Sequence, residues 1–458
     1  MHVRNPYAHN PPDFRALAES YSKLAKFLHD DATVDFTDPE AVCALTEALL
    51  HKDFDIDVEL LPDRLCPRVA NRLNYILWLQ DLLDSDSFDS NDTNSSKPIW
   101  GLDIGTGTSC IYPLLGCRLR RNWHFIATDV DDVAVSTAAK LVSRNNLTEQ
   151  ISVFKADPGN SLFGPHASGD SHTSQHLHFT MCNPPFYSSS ADYNASQALK
   201  VTPARSFTSA APEEMITPGG EVAFVTRMIN ESIEMLRNDV NTGSTWYTSM
   251  LGKLDSLKDV VNSLRKRGIS NYAVAEFIQG QFTRRWAVAW RFDGRRPLPD
   301  ITRPLDPLPS TAIRGLLPPA TGWILDLSHT YGANDDRLLD KVLSMMKDDF
   351  GDFMKLERLS KLNCETTHYI TGYSQQGNVW SRNFRRNKKR KIEEHSDHVE
   401  GSRISESTGF GFRIFVEQYT SNTDIPQCSV HWSYGSDPIV FESFCGMLKD
   451  RIQRIVSK

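Results

Sequence analysis

Leu102-Asp103-Ile104-Gly105-Thr106-Gly107-Thr108-Ser109 is the stretch on which the fold turns. The apolar run Ile99–Ile104 predicts a strand, and Cys110–Leu115 opens a helix. The two glycines therefore fall in the connection between them. Glycine at 105 and 107 permits a tight turn and close approach of backbone to a ligand. Strand, glycine turn and helix together make the nucleotide-binding turn of a doubly wound α/β sheet. The third glycine of the dinucleotide fingerprint is absent, which disfavours a dehydrogenase.

Working outward, strands and helices alternate. The spacing predicts strand Trp123–Thr128, helix Val133–Ser143, strand Ile151–Lys155, an irregular insertion at 157–176 and strand Leu177–Cys182. Helix Val222–Leu236, strand Thr245–Leu251 and helix Ser256–Arg267 follow. Such alternation predicts a mostly parallel sheet with helices on both faces. Tyr272–Ile278 and Trp286–Phe292, with a turn near Gly280, add an antiparallel edge. Asp129 stands 24 residues after Gly105, where a carboxylate can accept hydrogen bonds from both hydroxyls of a ribose. Turn and acid do not separate NAD from S-adenosylmethionine.

The tetrad Asn183-Pro184-Pro185-Phe186 does. It sits at the carboxyl end of the fourth predicted strand, where open α/β sheets bind ligands. The exocyclic amine of adenine is a poor nucleophile, because its lone pair is delocalised into the ring. The Asn183 side-chain oxygen and the Pro184 carbonyl can both accept hydrogen bonds from that amine and turn its lone pair toward a methyl sulfonium. Prolines fix the backbone that aims the carbonyl. Phe186 can stack on a flipped base, worth ~1–3 kcal/mol, and positioning of this kind supplies ~7–11 kcal/mol of a barrier.

The remaining chain divides around this core. Residues 1–97 predict a helical N-terminal extension, with a helix starting at Asp38-Pro39-Glu40 and another over about 72–83. Residues 98–293 hold the sheet. Residues 294–321 are proline-rich and read as a linker. Residues 322–458 predict a smaller α+β domain with helix Leu338–Met346, strands Phe412–Tyr419 and Cys428–Ser433, and closing helix Phe441–Val456. The 458-residue chain carries 50 Lys and Arg against 57 Asp and Glu, a net charge of −7. Bulk charge therefore does not bind nucleic acid, and a local patch must. No apolar run approaches the ~20 residues that cross a bilayer. The N-terminus lacks a signal-peptide core, which predicts a protein of the cytosol or nucleus without a membrane partner. None of the eight cysteines forms a CxxC pair. His172, His176 and His178 read as a solvated loop, so no metal is expected.

The order of segments resembles a known family. PPDF (11–14), DPEAV (38–42), RLNYI (72–76), DIGTGTSCIYPLLG (103–116), TDVDD (128–132), CNPPF (182–186), PGGEVAFV (218–225), WYTSMLGK (246–253) and RRWAVAW (284–290) carry the likeness. The chain resembles the RNA adenine-N6 methyltransferases that modify U6 small nuclear RNA. The resemblance implies a class I S-adenosylmethionine-dependent, Rossmann-like α/β fold whose helical extension completes a groove for structured RNA. It implies that Arg72 meets the methionine carboxylate of the cofactor. It also implies that Asp103, Gly105, Gly107, Asp129, Ser161 and Asn183 line its pocket, and that Asn183, Pro184, Pro185 and Phe186 hold the adenine. The loop at 187–217 departs from the family, with only Lys200 and Arg205 basic.

Arg4, Lys200, Arg205, Arg284, Arg285, Arg385, Arg386, Lys388 and Lys389 are the candidate RNA contacts. Seven of the ten residues 382–391 are basic. Lys388-Lys389-Arg390-Lys391 fits a nuclear localisation signal, and Trp380 or Phe384 could stack on a base. Three rivals stay open: a ribosomal RNA adenine-N6 methyltransferase, a glutamine-N5 methyltransferase of proteins, which usually carries Tyr at the fourth tetrad position, and a non-catalytic RNA-binding assembly factor.

Overall fold

The structure is a computed structural model. It describes residues 1–86, 97–164, 176–198, 211–279, 283–303, 309–327, 335–362, 366–382, 384, 386, 409–417 and 427–456. They group into two compact units, Met1–Asp84 with Asn94–Phe292, and Ser85–Thr93 with Asp293–Lys458.

The first unit begins with helices α1 (Phe14–Ser20), α2 (Ser22–Ala25), α3 (Pro39–Phe54) and α4 (Val69–Asp86). Asp38 accepts the Glu40 N–H and Pro39 takes the first turn of α3, so the chain enters the helix with two start signals satisfied. Helices α1 to α3 close on a small cluster that includes Leu17, Leu24 and Leu45. Every residue from Leu73 to Gln80 in α4 is buried. A helix covered all round is a core element, so α4 is rigid enough to present side chains to a site.

The sheet comprises β1 (Ile99–Ile104), β2 (Trp123–Asp129), β3 (Ile151–Lys155), β4 (Phe179–Cys182), β5 (Trp246–Leu251), β6 (Tyr272–Gln279) and β7 (Thr283–Trp290), in the order β3-β2-β1-β4-β5-β7-β6. The first five are parallel, and β7 runs antiparallel between β5 and β6. The expected antiparallel edge is thus present. Its last strand starts at Thr283 rather than Trp286, because Arg284 and Arg285 pair with Ile278 and Phe277 although they are charged. Helices α5 (Ile111–Leu119), α6 (Asp132–Arg144), α7 (Ser190–Ala198), α8 (Pro212–Met215), α9 (Gly220–Asn238) and α10 (Leu254–Lys266) complete the unit.

Strand order reverses between β1 and β4. Their ladder ends at Ile104 opposite Cys182. The residues that follow, Gly105 and Asn183, therefore enter the same crevice from neighbouring strands. That is the switch point at which open α/β sheets bind ligands.

In the second unit, short helices α11 (Pro299–Thr302) and α12 (Thr311–Arg314) lie within the proline-rich stretch. A five-stranded antiparallel sheet follows: β8 (Gly322–Asp326), β9 (Lys355–Leu362), β10 (Thr366–Ser374), β11 (Phe410–Glu417) and β12 (Gln427–Tyr434), ordered β8-β12-β11-β10-β9. It packs on α13 (Asp335–Phe350) and α14 (Pro438–Val456) through a core including Val342, Met346, Phe412, Phe444 and Leu448. Trp380 is buried against Phe410 and Phe444, and Phe384 packs on Phe353. The Trp380 ring fills the core of this unit and is not a surface on which a base could stack, whereas Phe384 is half-buried at the edge of that core. No helix among the described residues is long and apolar enough to cross a membrane.

Candidate active site

A cavity of about 170 Å³ opens at the switch point. The glycine turn forms one wall. Gly105 (φ +75°) and Gly107 (φ +64°) occupy the left-handed region, which a residue with a Cβ enters at a cost of ~1–2 kcal/mol. A Cβ at either position would meet no atom within 4 Å, so conformation, not crowding, demands glycine here. The turn is tied to β2: the Gly105 and Thr106 N–H groups both donate to the Thr128 carbonyl at 2.9 Å. The Gly107 N–H donates to Asp129 Oδ2 at 2.8 Å and the Asp131 N–H to Oδ1 at 3.0 Å. Asp129 thus braces the turn and lines the cavity, each of its oxygens keeping one lone pair for a ligand. Burial raises its pKa.

Asp103 lies behind this wall rather than on it. It is fully buried, and neither carboxyl oxygen accepts a hydrogen bond of good geometry. Burial pushes its pKa up to about 7; the Asp129 charge adds to this, and the nearby Thr106 hydroxyl and Arg72 charge oppose it. Arg72 reaches the cavity from α4. Its Nη1 donates to the Tyr112 hydroxyl at 2.8 Å, and its guanidinium lies 5.3 Å from the centre of that ring. One end of the cavity therefore presents a fixed guanidinium, with an unsatisfied carboxyl buried just behind the wall. That donor set fits a ligand with both a carboxylate and an ammonium group.

The tetrad forms the opposite wall. Asn183, Pro184 and Pro185 line the cavity; Phe186 stands just outside it. Among the described residues, the Asn183 side-chain amide has no hydrogen-bond partner. The Phe186 ring rests on Gly252, where a Cβ would stand 2.8 Å from its Cδ1, and the Arg285 guanidinium lies 5.7 Å from its centre. Gly252 is held in place by the buried Glu221 carboxylate, which accepts its N–H at 2.6 Å and that of Lys253 at 3.0 Å.

Other expected residues take varied places. Ser161 lines the cavity, donates to Glu231 at 2.7 Å and accepts the Phe163 N–H at 3.1 Å. Arg4 is bound into the fold: it donates to the Leu77 carbonyl at 3.0 Å, to Gln80 at 3.2 Å and to the Asp81 carboxylate. Arg284 is exposed and pairs with Glu276 at 2.7 Å. Burial lowers the pKa of Arg285. Arg386 is exposed. Lys200, Arg205, Arg385, Lys388, Lys389 and His172 lie outside the described residues. His178 Nδ1 accepts the Trp100 N–H at 3.0 Å, and no cluster of metal ligands occurs among the described residues.

The cavity also takes in residues that sequence reasoning passed over. Glu214 lines it, accepts the N–H groups of Leu65 at 3.1 Å and Ala211 at 2.8 Å, and has its pKa raised by burial. Asp131 caps α6 and pairs with Arg64 at 2.7 Å. Glu214 joins segments far apart in the chain, which no local spacing announces, whereas Asp131 lies in the TDVDD segment directly before α6 and only its pairing with Arg64 is long-range.

Comparison with known proteins agrees with this geometry. The profile of a family described as "RNA methyltransferase" matches residues 1–294. The chain is 33% identical over 417 residues to the U6 small nuclear RNA (adenine-(43)-N(6))-methyltransferase of Schizosaccharomyces pombe, covering 91% of this chain and 94% of that protein. It is 39% identical over 305 residues to the RNA N(6)-adenosine-methyltransferase mettl16 of Danio rerio, covering 65% of this chain but only 60% of the relative's length. Against the hMettl16 catalytic domain, solved with a MAT2A 3'UTR hairpin, the TM-score is 0.54 at 38% identity, over 64% of this chain and 95% of that one. The N-terminal domain of human METTL16, solved with SAH, gives 0.50 at 37% identity, over 64% and 98%. A glycine turn and an NPPF tetrad converging on one cavity, within a stretch that the profile matches end to end, place this chain in that RNA methyltransferase family.

Proposed function

We propose that this chain transfers a methyl group from S-adenosylmethionine to the N6 of an adenosine in a structured RNA, and that the RNA is U6 small nuclear RNA. The observation that carries the reading is the convergence of Asn183, Pro184 and Pro185, at the end of β4, on the cavity that the glycine turn also lines. When bound, S-adenosylmethionine supplies an electrophilic methyl carbon, and the electrons of its C–S bond stay with sulfur as the methyl leaves.

The protein's part is placement. Arg72 holds the carboxylate end, Asp103 and Thr106 offer acceptors toward the ammonium, and Asp129 takes the ribose. Asn183 and the Pro184 carbonyl accept hydrogen bonds from the adenine amine and aim its lone pair at the methyl. Phe186, backed by Arg285 and Gly252, stacks on the base. The tetrad contains no base, so the proton shed by the amine passes to water. Arg285 supplies a cation beside Phe186, and Arg284, Lys200, Arg205, Arg385, Arg386, Lys388 and Lys389 are the further RNA contacts that their charge suggests. Arg4 contributes through the fold of α4. The division into a helical extension (1–97), a catalytic sheet (98–293), a proline-rich link (294–321) and an accessory domain (322–458) belongs to this proposal. So does residence in the nucleus, for which the KKRK run and the substrate class speak.

The test is transfer of labelled methyl from S-adenosylmethionine to U6 RNA, with the modified nucleoside mapped by mass spectrometry. Wild type should label one adenosine at N6, and Asn183→Ala should lower the rate by at least about 100-fold, the loss typical of one positioned transition-state partner. Label at another base, in protein, or nowhere overturns the reading.

A further inference from the structure

The strand that carries the tetrad is not held by its ladder alone. Pairing between β4 and β5 stops at Phe179 with Trp246 and Thr180 with Tyr247, whereas β4 stays paired with β1 to Cys182. Beyond Thr180 the two strands part, and side chains take over. The Thr248 hydroxyl donates to the Thr180 carbonyl at 2.7 Å. A threonine hydroxyl has one proton, so its oxygen accepts from Tyr75, whose hydroxyl is 2.6 Å away. The Tyr75 oxygen in turn accepts the Cys182 N–H at 3.4 Å, one residue before Asn183.

This chain of hydrogen bonds has a fixed direction and is fully buried: Tyr75, Thr248, Thr180 and Cys182 are each at most 1% exposed. Tyr75 belongs to α4, three residues after Arg72, so both side chains leave one face of the helix. The Tyr112 ring joins them, accepting from Arg72 and meeting the Tyr75 ring edge-on at 5.4 Å and 90°. One buried helix therefore touches the cofactor end of the cavity and the strand end that holds the acceptor.

We propose that Tyr75 and Thr248 are positioning residues: through the Cys182 N–H and the Thr180 carbonyl they fix the end of β4, and with it the height of Asn183 and Pro184 relative to the methyl group. The inference rests on the methyl-transfer reading above. A shift of the tetrad by a fraction of an ångström leaves the cofactor wall intact but misaligns the amine, and misplacement of this kind is costly to rate.

Three variants separate positioning from packing. Tyr75→Phe keeps the ring and removes the hydroxyl; Thr248→Val keeps the shape and removes it; Thr248→Ser keeps the hydroxyl. With saturating U6 RNA, Tyr75→Phe and Thr248→Val should each lower kcat about tenfold. Their KM for S-adenosylmethionine should stay within about twofold of wild type, and Thr248→Ser should keep kcat within about twofold. If one hydroxyl-less variant does not fold, the other and the serine pair decide. A kcat unchanged without the hydroxyl overturns the inference. So does a loss shared equally with cofactor affinity, or a serine variant as slow as the valine one. A wild type that transfers no methyl overturns the functional reading itself, a result distinct from any of these.

Discussion

Asp103 gives the sharpest physical prediction. Its carboxyl ionises near pH 3.9 in an unfolded chain, but burial without a hydrogen-bond partner pushes it up to about 7 in the fold. Between those values the folded protein holds a proton that the unfolded chain has lost. Stability therefore falls as pH rises, and the carboxyl's unfavourable contribution is complete only above about pH 7. Each pH unit of difference is 1.36 kcal/mol, so the full cost is about 4 kcal/mol, of which about 3 kcal/mol develops between pH 5 and pH 8.5. Asp129 and Glu214 are raised by burial too, so the wild-type curve alone mixes three groups. Asp103→Asn isolates the one: the variant should be less affected by alkali, and the difference between the two proteins should change by about 3 kcal/mol across that range. Urea unfolding at half-unit steps of pH, with equal slopes for the two proteins, measures it. A difference flat to within about 0.5 kcal/mol refutes the reasoning, because it means that Asp103 ionises in the fold as it does in water.

Two more predictions concern the walls of the cavity. Arg72→Lys keeps the charge but loses the planar fork braced by Tyr112, and should raise KM for S-adenosylmethionine about tenfold or more; an unchanged KM would remove Arg72 from the cofactor site. Gly252→Ala places a methyl 2.8 Å from Phe186 Cδ1 and should displace the ring. Its effect should fall on RNA turnover, with calorimetric affinity for S-adenosylmethionine within about twofold of wild type. Equal loss of both would show that the strand end, not the ring, had moved.

The architecture was legible where burial leaves a simple record. Strands buried along most of their length, β1 and β5, fall within a residue or so of where apolar runs put them; β2 and the largely exposed edge strand β3 fall as close through the alternation of elements. Strands β9 and β10 went unread. Lys355-Leu356-Glu357-Arg358-Leu359 spaces its leucines by three with two consecutive charges between them, so no period-two alternation announces the strand. One aromatic residue near the basic run misled: Trp380 looks like a stacking platform beside arginines, yet the second core takes it, while Phe384 packs half-buried at its edge.

The amino-acid sequence by itself determined the local strings from which the candidate site is built. Glycine at 105 and 107 is required by backbone conformation, a local property, and an Asn-Pro-Pro-Phe tetrad at a strand end is a local string. What only the tertiary structure decided is which distant groups hold those strings in place. Tyr75 and Thr248 stand 173 positions apart, Leu65 and Glu214 149 apart, and Arg4 is spent on Asp81 rather than left to solvent. The reason is physical: a hydrogen bond depends on separation in space, and a periodicity reports only which face of an element is buried, not what the facing element brings to meet it.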